Sequence, residues 1–170
     1  MPRRRKKKVA RILYPSIGPL PDRLAEQFAG RLLVFSDASQ RRHGGLAAVL
    51  FADQAGEPLV SKRTVPLIGS NELELQAALF ALAEVERQFP GQQASLFSDN
   101  QDAVTRLTRA ATLGLAQDPV LAALCAEQGV AATLARVTIH WVRGHATCRG
   151  NTLADQHAAV AAAKLRVAWF

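Results

Sequence analysis

The chain has 170 residues, 49% of them apolar and 21% charged, with a formal net charge of +7. That length and balance fit one soluble domain with a real hydrophobic core, and no apolar run approaches the roughly 20 residues a membrane span requires. Two cysteines, Cys125 and Cys148, are too few for a disulfide framework or a cysteine zinc site, so a reducing cytoplasm is the expected location.

The charge is unevenly placed. Arg3, Arg4, Arg5, Lys6, Lys7 and Lys8 supply six of the seven net positive charges, so the body is nearly neutral. Such a run repels itself and is expected to be disordered when free. It suits phosphate contacts through counterion release, or service as a solubilising tail or targeting signal. No apolar segment follows it, which argues against a secretory signal. Residues 1–30, interrupted by Pro15, Pro19 and Pro21 before a short helix at 22–28, read as a basic, largely flexible extension, and residues 31–170 as the folded domain.

In chain order, residues 32–35 form an apolar run that suits a buried strand ending at Ser36 and Asp37. A polar loop with Gly44 and Gly45 leads to a second strand at 46–51 and a third at 59–67, with connections short enough for an antiparallel meander. The period then changes. Leu75, Ala78, Leu79, Leu82, Val85 and Phe89 make a helical stripe over 71–89, stopped by Pro90. A fourth strand at 94–98 ends at Asp99, and helices follow at 101–112 and 119–128. The fifth strand spans 137–142. In it Trp141 alternates with Val137 and Ile139, which predicts a core position. The last helix spans 152–164, capped by Asn151 or Thr152. Cys125 reads as a small buried hydrophobe, and Cys148 falls on a loop, where exposure is expected. The order β-β-β-α-β-α-α-β-α predicts an α/β fold, a five-stranded mixed sheet flanked by helices.

Four acids stand where these elements begin or end. Asp37 and Asp99 close strands, Glu74 sits beside the apolar stripe of its helix, and Asp155 falls in the first turn of the last helix, where the dipole favours an acid. Each alone is ordinary. Together they could converge on one edge of the sheet, where clustered carboxylates repel unless protons or cations neutralise them. Hard oxygen ligands without histidine or thiolate suit Mg²⁺ or Mn²⁺. Two such ions about 4 Å apart can activate a water and stabilise the leaving oxygen in phosphodiester cleavage.

The motifs resemble those of type 1 ribonuclease H, from about Leu32 to Lys164 and in the family's order. "LVFSDAS" is similar to the first-strand motif with its aspartate, here Asp37. "SNELELQAALFALA" resembles the helix that carries the glutamate, here Glu74, with Asn71 before it. "LFSDNQDAV" is similar to the fourth-strand motif, giving Asp99, and "WVRGHATCRGNTLAD" resembles the loop histidine and final aspartate, His145 and Asp155, ten residues apart. The resemblance implies a ribonuclease H-like fold with strand 2 antiparallel to its neighbours, and hydrolysis of the RNA strand of an RNA–DNA hybrid to 3′-hydroxyl and 5′-phosphate ends. It implies two Mg²⁺ ions, with Mn²⁺ possible. Asp37 would bridge them, Glu74 and Asp99 would hold the ion on the leaving-group side, and Asp155 the ion that orients the water. His145 would shuttle a proton or help release product. Ser70, Asn71, Asn100 and Gln101 would contact the hybrid, and residues 31–170 would be the catalytic domain of a monomer.

Three departures from the family pattern bear on substrate recognition. Ala38 stands where glycine is usual, and the loop at 39–45 is short, so Arg41 and Arg42 would substitute through phosphate contacts. Between Asp99 and His145 there is little of the basic, tryptophan-bearing protrusion some members use to grip DNA. The run from Arg3 to Lys8 is the substitute the sequence offers. The same fold also hosts integrases, resolvases and exonucleases, and the alternative is a catalytically silent or differently specific nucleic-acid-binding protein. Retention of all four acids and the spacing from His145 to Asp155 favour the ribonuclease.

Overall fold

The computed structural model describes residues 18–144 and 148–165. The basic run Arg3 to Lys8, His145 and the C-terminal Trp169 and Phe170 lie outside the described residues. The strands are β1 (Leu32–Gln40), β2 (Gly44–Phe51), β3 (Leu59–Val65), β4 (Ala94–Ser98) and β5 (Val137–Trp141). The helices are α1 (Asp22–Ala25), α2 (Ser70–Gln88), α3 (Gln101–Leu113), α4 (Pro119–Gln128), α5 (Ala131–Ala135) and α6 (Arg149–Ala162). One five-stranded sheet has the order β3-β2-β1-β4-β5. β2 runs antiparallel to β1 and β3, while β1, β4 and β5 are mutually parallel. This is the mixed sheet that the element order and the family resemblance imply.

β1 outruns its expected end. Its polar half continues the ladder with β2, Asp37 opposite Ala47 and Gln40 opposite Gly44, so Asp37 lies inside the strand and not at its end. Pairing with an already apolar partner strand outweighs the low strand propensity of Ser36, Asp37 and Ser39. The connection shrinks to Arg41, Arg42 and His43.

Strand alternation divides the core in two. One face carries Leu32, Val34, Leu46, Ala48, Leu50 and Leu96 beneath α2, with Leu107, Leu121 and Leu134 from the helices outside it. Because α2 is covered on both sides, its buried set runs almost continuously from Ala77 to Leu82. The other face carries Leu33, Phe35, Val49, Phe51 and Phe97, closed by Ala154 of α6 and by Leu20 and Phe28. The Phe35 and Phe97 rings stack 5.1 Å apart, and Phe28 meets Phe97 edge-on at the same distance. Residues 20–28, which the sequence assigns to the extension, therefore pack on the body: Leu20 is fully buried and Phe28 nearly so.

Three more expectations change. α6 begins at Arg149, so Asn151 and Thr152 lie within it, Cys148 takes the cap position without a side-chain cap bond, and Asp155 falls in the second turn. The early start follows from packing. Gly150 donates its N–H to the Pro19 carbonyl at 3.0 Å. A Cβ on Gly150 would come within 2.4 Å of the Phe35 ring, so only glycine fits. Cys148 is fully buried in the same cluster, where exposure was expected. Trp141 is 44% exposed, not in the core, because its indole N–H is bonded at the surface end of the edge strand. The short α5 and a 3₁₀ turn at Leu115–Gln117 were not anticipated, being too brief for a periodic signal. Among the described residues no helix is long and apolar enough to cross a membrane.

α6 lies almost in contact with the β2 backbone. A Cβ on Gly45 would sit 2.0 Å from the Ala158 carbonyl oxygen and 2.6 Å from the Ala162 nitrogen. Gly45→Ala must push the helix off the sheet, at a cost of about 2–3 kcal/mol, or roughly 5–10 °C in Tm. Thermal and urea denaturation of the variant beside the parent measure this directly.

Candidate active site

The parallel β1–β4 pair sets the geometry of the acids. Phe35 pairs with Phe97, so Asp37 and Asp99, each two residues further on, arrive side by side at the same level of the sheet. Glu74 reaches them from the second turn of α2, whose first turns pack on the end of β1. The carboxylates of Asp37, Glu74 and Asp99 each offer an oxygen, and these oxygens lie within 4.8 Å of one another. Asp37 is buried and the other two are half-buried. Three acids far apart in sequence thus share one small volume.

Proximity and burial raise their proton affinity. Burial first, then the neighbouring Asp99 charge, pushes the Asp37 carboxyl up to about 7, against the Ala38 N–H that donates to its Oδ1 at 2.9 Å. Burial, then the charges of Asp37 and Asp99, pushes Glu74 up to about 10. Glu74 Oε2 is buried with no hydrogen-bond partner. A buried acceptor without a donor is costly, and a hard cation is the partner an acid cluster of this composition fits. The donor set suits a divalent metal ion.

The remaining site residues take different places. Asp155 is exposed on α6 and stands outside the three-acid cluster, yet it lies close enough for its charge to raise the Asp37 carboxyl further. His145 is outside the described residues. Ser70 and Asn71 open α2 and are exposed. Asn71 Oδ1 accepts from Asn100 Nδ2 at 3.4 Å, tying the start of α2 to the end of β4. Asn100 also caps α3, its Oδ1 accepting the Ala103 N–H at 2.8 Å. Gln101 is exposed in the first turn of α3, and Arg41 and Arg42 are exposed at the β1–β2 turn.

Sequence reasoning missed several neighbours. A cleft of about 250 Å³ beside Glu74 is lined by Ala38, Ser39, Gln40, Ser70 and Leu73. Ala38 and Ser70 are singled out by the sequence; of the other three only Gln40, a polar residue in strand pairing, carries any signal. Gly144 stands directly against Asp99: a Cβ there would lie 2.9 Å from Oδ2. Its backbone is not in the left-handed region, so the need for glycine at this point is one of space. Trp141 donates its indole N–H to the Asp99 carbonyl at 3.1 Å.

The sequence matches the RNase H family over residues 29–163, most of the chain. The chain belongs to the RNase H family. Solved structures agree in fold. The N-terminal RNase H domain of a Mycobacterium tuberculosis protein superposes with a TM-score of 0.58 at 19% identity, covering 79% of this chain and 94% of that one. RNase H1 from the archaeon Halobacterium salinarum gives 0.55 at 22% identity, covering 78% and 97%. Foamy viral protease–reverse transcriptase, solved in complex with RNA/DNA hybrid, gives 0.64 at 10% identity, covering 80% of this chain and 20% of that one. Among curated proteins, none matches the sequence significantly. As a member of the RNase H family, the chain carries the three-acid cluster within the fold that these structures share.

Two outcomes follow from this geometry. Because the folded state raises the Asp37 carboxyl above its unfolded value, its contribution to stability is complete below about pH 4 and is lost as pH rises toward 7. The metal-free protein should therefore melt at lower temperature at pH 8 than at pH 5, and Asp37→Asn should flatten that slope and raise Tm at pH 8 by on the order of 5 °C. Melting curves in chelator across this range test it, and millimolar Mg²⁺ should stabilise the parent at pH 8 but not the variant. Gly144→Ala, which forces the Asp99 carboxylate aside, should weaken Mg²⁺ binding about tenfold while leaving metal-free Tm within about 3 °C, as read by calorimetric titration.

Proposed function

We propose that this ribonuclease H is an endonuclease that hydrolyses the RNA strand of RNA–DNA hybrids, leaving 3′-hydroxyl and 5′-phosphate ends. The observation that carries the reading is the convergence of Asp37, Glu74 and Asp99, with Glu74 Oε2 buried and unpartnered. The RNA/DNA hybrid bound by the structurally similar foamy viral enzyme supports the substrate class.

Asp37, Glu74, Asp99 and Asp155 would hold two Mg²⁺ ions, Mn²⁺ being the alternative. When bound, such ions lower the pKa of a water and offset charge on the leaving oxygen. The chain's own residues do the rest. Glu74, held protonated at neutral pH, and Asp37, only partly ionised there, would give up their remaining protons on binding a divalent cation. Asn71 and Asn100, bonded to each other, present amides on one rim of the acids. With Ser70 and Gln101 they would meet the hybrid's minor groove, where the 2′-hydroxyl separates RNA from DNA. Arg41 and Arg42 would contact phosphates from the β1–β2 turn. His145 would move a proton at the leaving oxygen or assist product release. Arg3 to Lys8 would add sequence-independent phosphate contacts, and the working unit would be a monomer in the cytoplasm.

Cleavage of an end-labelled RNA–DNA hybrid in Mg²⁺, with single-stranded RNA, double-stranded RNA and double-stranded DNA as controls, tests the reading. Only the RNA strand of the hybrid should be cut. Asp99→Asn should reduce the rate by roughly 100-fold or more. No cutting by folded protein in Mg²⁺ or Mn²⁺ would leave the alternative, a nucleic-acid-binding protein of the same fold.

A further inference from the structure

Trp141 is the largest side chain near the acids that the proposed function leaves unused. It exposes 44% of its surface at the end of β5, although the alternation of Val137 and Ile139 would turn it inward. An indole in that position is held by a polar contact, since its apolar body alone would favour burial. The contact is with the residue that matters: its N–H donates to the backbone carbonyl of Asp99 at 3.1 Å.

That bond sits where regular pairing stops. Trp141 is paired with Ser98, and the last rung runs from the Val142 N–H to the Ser98 carbonyl at 2.9 Å. Beyond it the β4 chain leaves the sheet at Asp99. The following residue is fixed through its N–H, which donates to Ser98 Oγ at 3.1 Å. The Trp141 bond fixes the carbonyl between these two anchors, and Gly144 bounds the carboxylate from the side. A backbone held at both of its peptide planes has little freedom to swing its side chain.

We infer that Trp141 is a positioning residue for Asp99: its indole N–H locks the Asp99 carbonyl and thereby the direction in which the carboxylate meets a divalent cation. This rests on the proposed metal-dependent function and deepens it. Neither the ring's area nor its aromaticity is what the site uses; the N–H donor is.

The experiment replaces the donor while keeping the shape. 3-Benzothienylalanine, an isostere with sulfur for the N–H, is incorporated at position 141 of the full chain, beside Trp141→Phe and Asp99→Asn. Mg²⁺ affinity of the substrate-free protein is measured by calorimetry, and KM for the hybrid at saturating Mg²⁺. Loss of one neutral hydrogen bond should weaken Mg²⁺ binding about five- to tenfold in the isostere and in Trp141→Phe, with KM for the hybrid unchanged. Parent-like Mg²⁺ affinity in the isostere overturns the inference. So does a raised KM at unchanged Mg²⁺ affinity, which would make the ring a substrate contact. If the parent itself shows no Mg²⁺ binding that Asp99→Asn abolishes, the metal-dependent function has failed and the inference falls with it. A parent that binds Mg²⁺ beside an unaffected isostere sinks the inference alone.

Discussion

Three carboxylates within 4.8 Å of one another is the arrangement around which the rest of this molecule is organised. Left to themselves the groups would separate or keep their protons, and burial makes both charge and repulsion more costly. The scaffold holds them against that tendency. β1 and β4 fix Asp37 and Asp99 at one level through a parallel ladder, and α2 is pinned by a nearly all-apolar surface, Leu73 to Val85, that leaves Glu74 no freedom to withdraw. The surrounding core stores the work needed to keep like charges together, and the composition of the cluster suits a divalent cation.

The two faces of the sheet divide the labour. The face under α2 carries the larger apolar cluster and supplies Glu74. The face under α6 is aromatic, with Phe28, Phe35, Phe51 and Phe97 in edge-on and stacked contact, and it brings Asp155 to the neighbourhood of Asp37. Two glycines let α6 come this close, Gly45 under its C-terminal half and Gly150 against Phe35. Acids outside the site serve other ends. Asp118 accepts two bonds from Arg106, at 2.6 and 3.0 Å, and caps α4, which ties α3 to α4.

Much of this was legible in the sequence, for identifiable reasons. Strands β2 to β5 and helices α2 to α4 were long or strongly patterned, and Pro90 marked the end of α2. The three acids of the cluster could be named because motif order and element type agreed. What escaped depended on contacts between distant segments. Asp37 was placed at a strand end because nothing local shows that β2 extends pairing to Gln40. The start of α6 was placed late because its first turn carries no side-chain cap and is set by Gly150 packing on Phe35. Trp141 follows the alternation of its strand on paper, but at the last strand position it is left exposed, with its indole N–H on the Asp99 carbonyl. Leu20 and Phe28 looked like part of an extension because a charged run and prolines precede them, while their partners lie in β1, β4 and α6.

The bond from Gly150 to the Pro19 carbonyl joins segments at opposite ends of the described chain. Loop-closure entropy makes such a contact slow to form compared with the β1–β2–β3 meander and the α2 that follows it. A chain folded only through α2 would own Asp37 and Glu74 without Asp99 or Asp155. The three-acid cluster is thus a property of the finished topology, and an incompletely folded molecule does not assemble it.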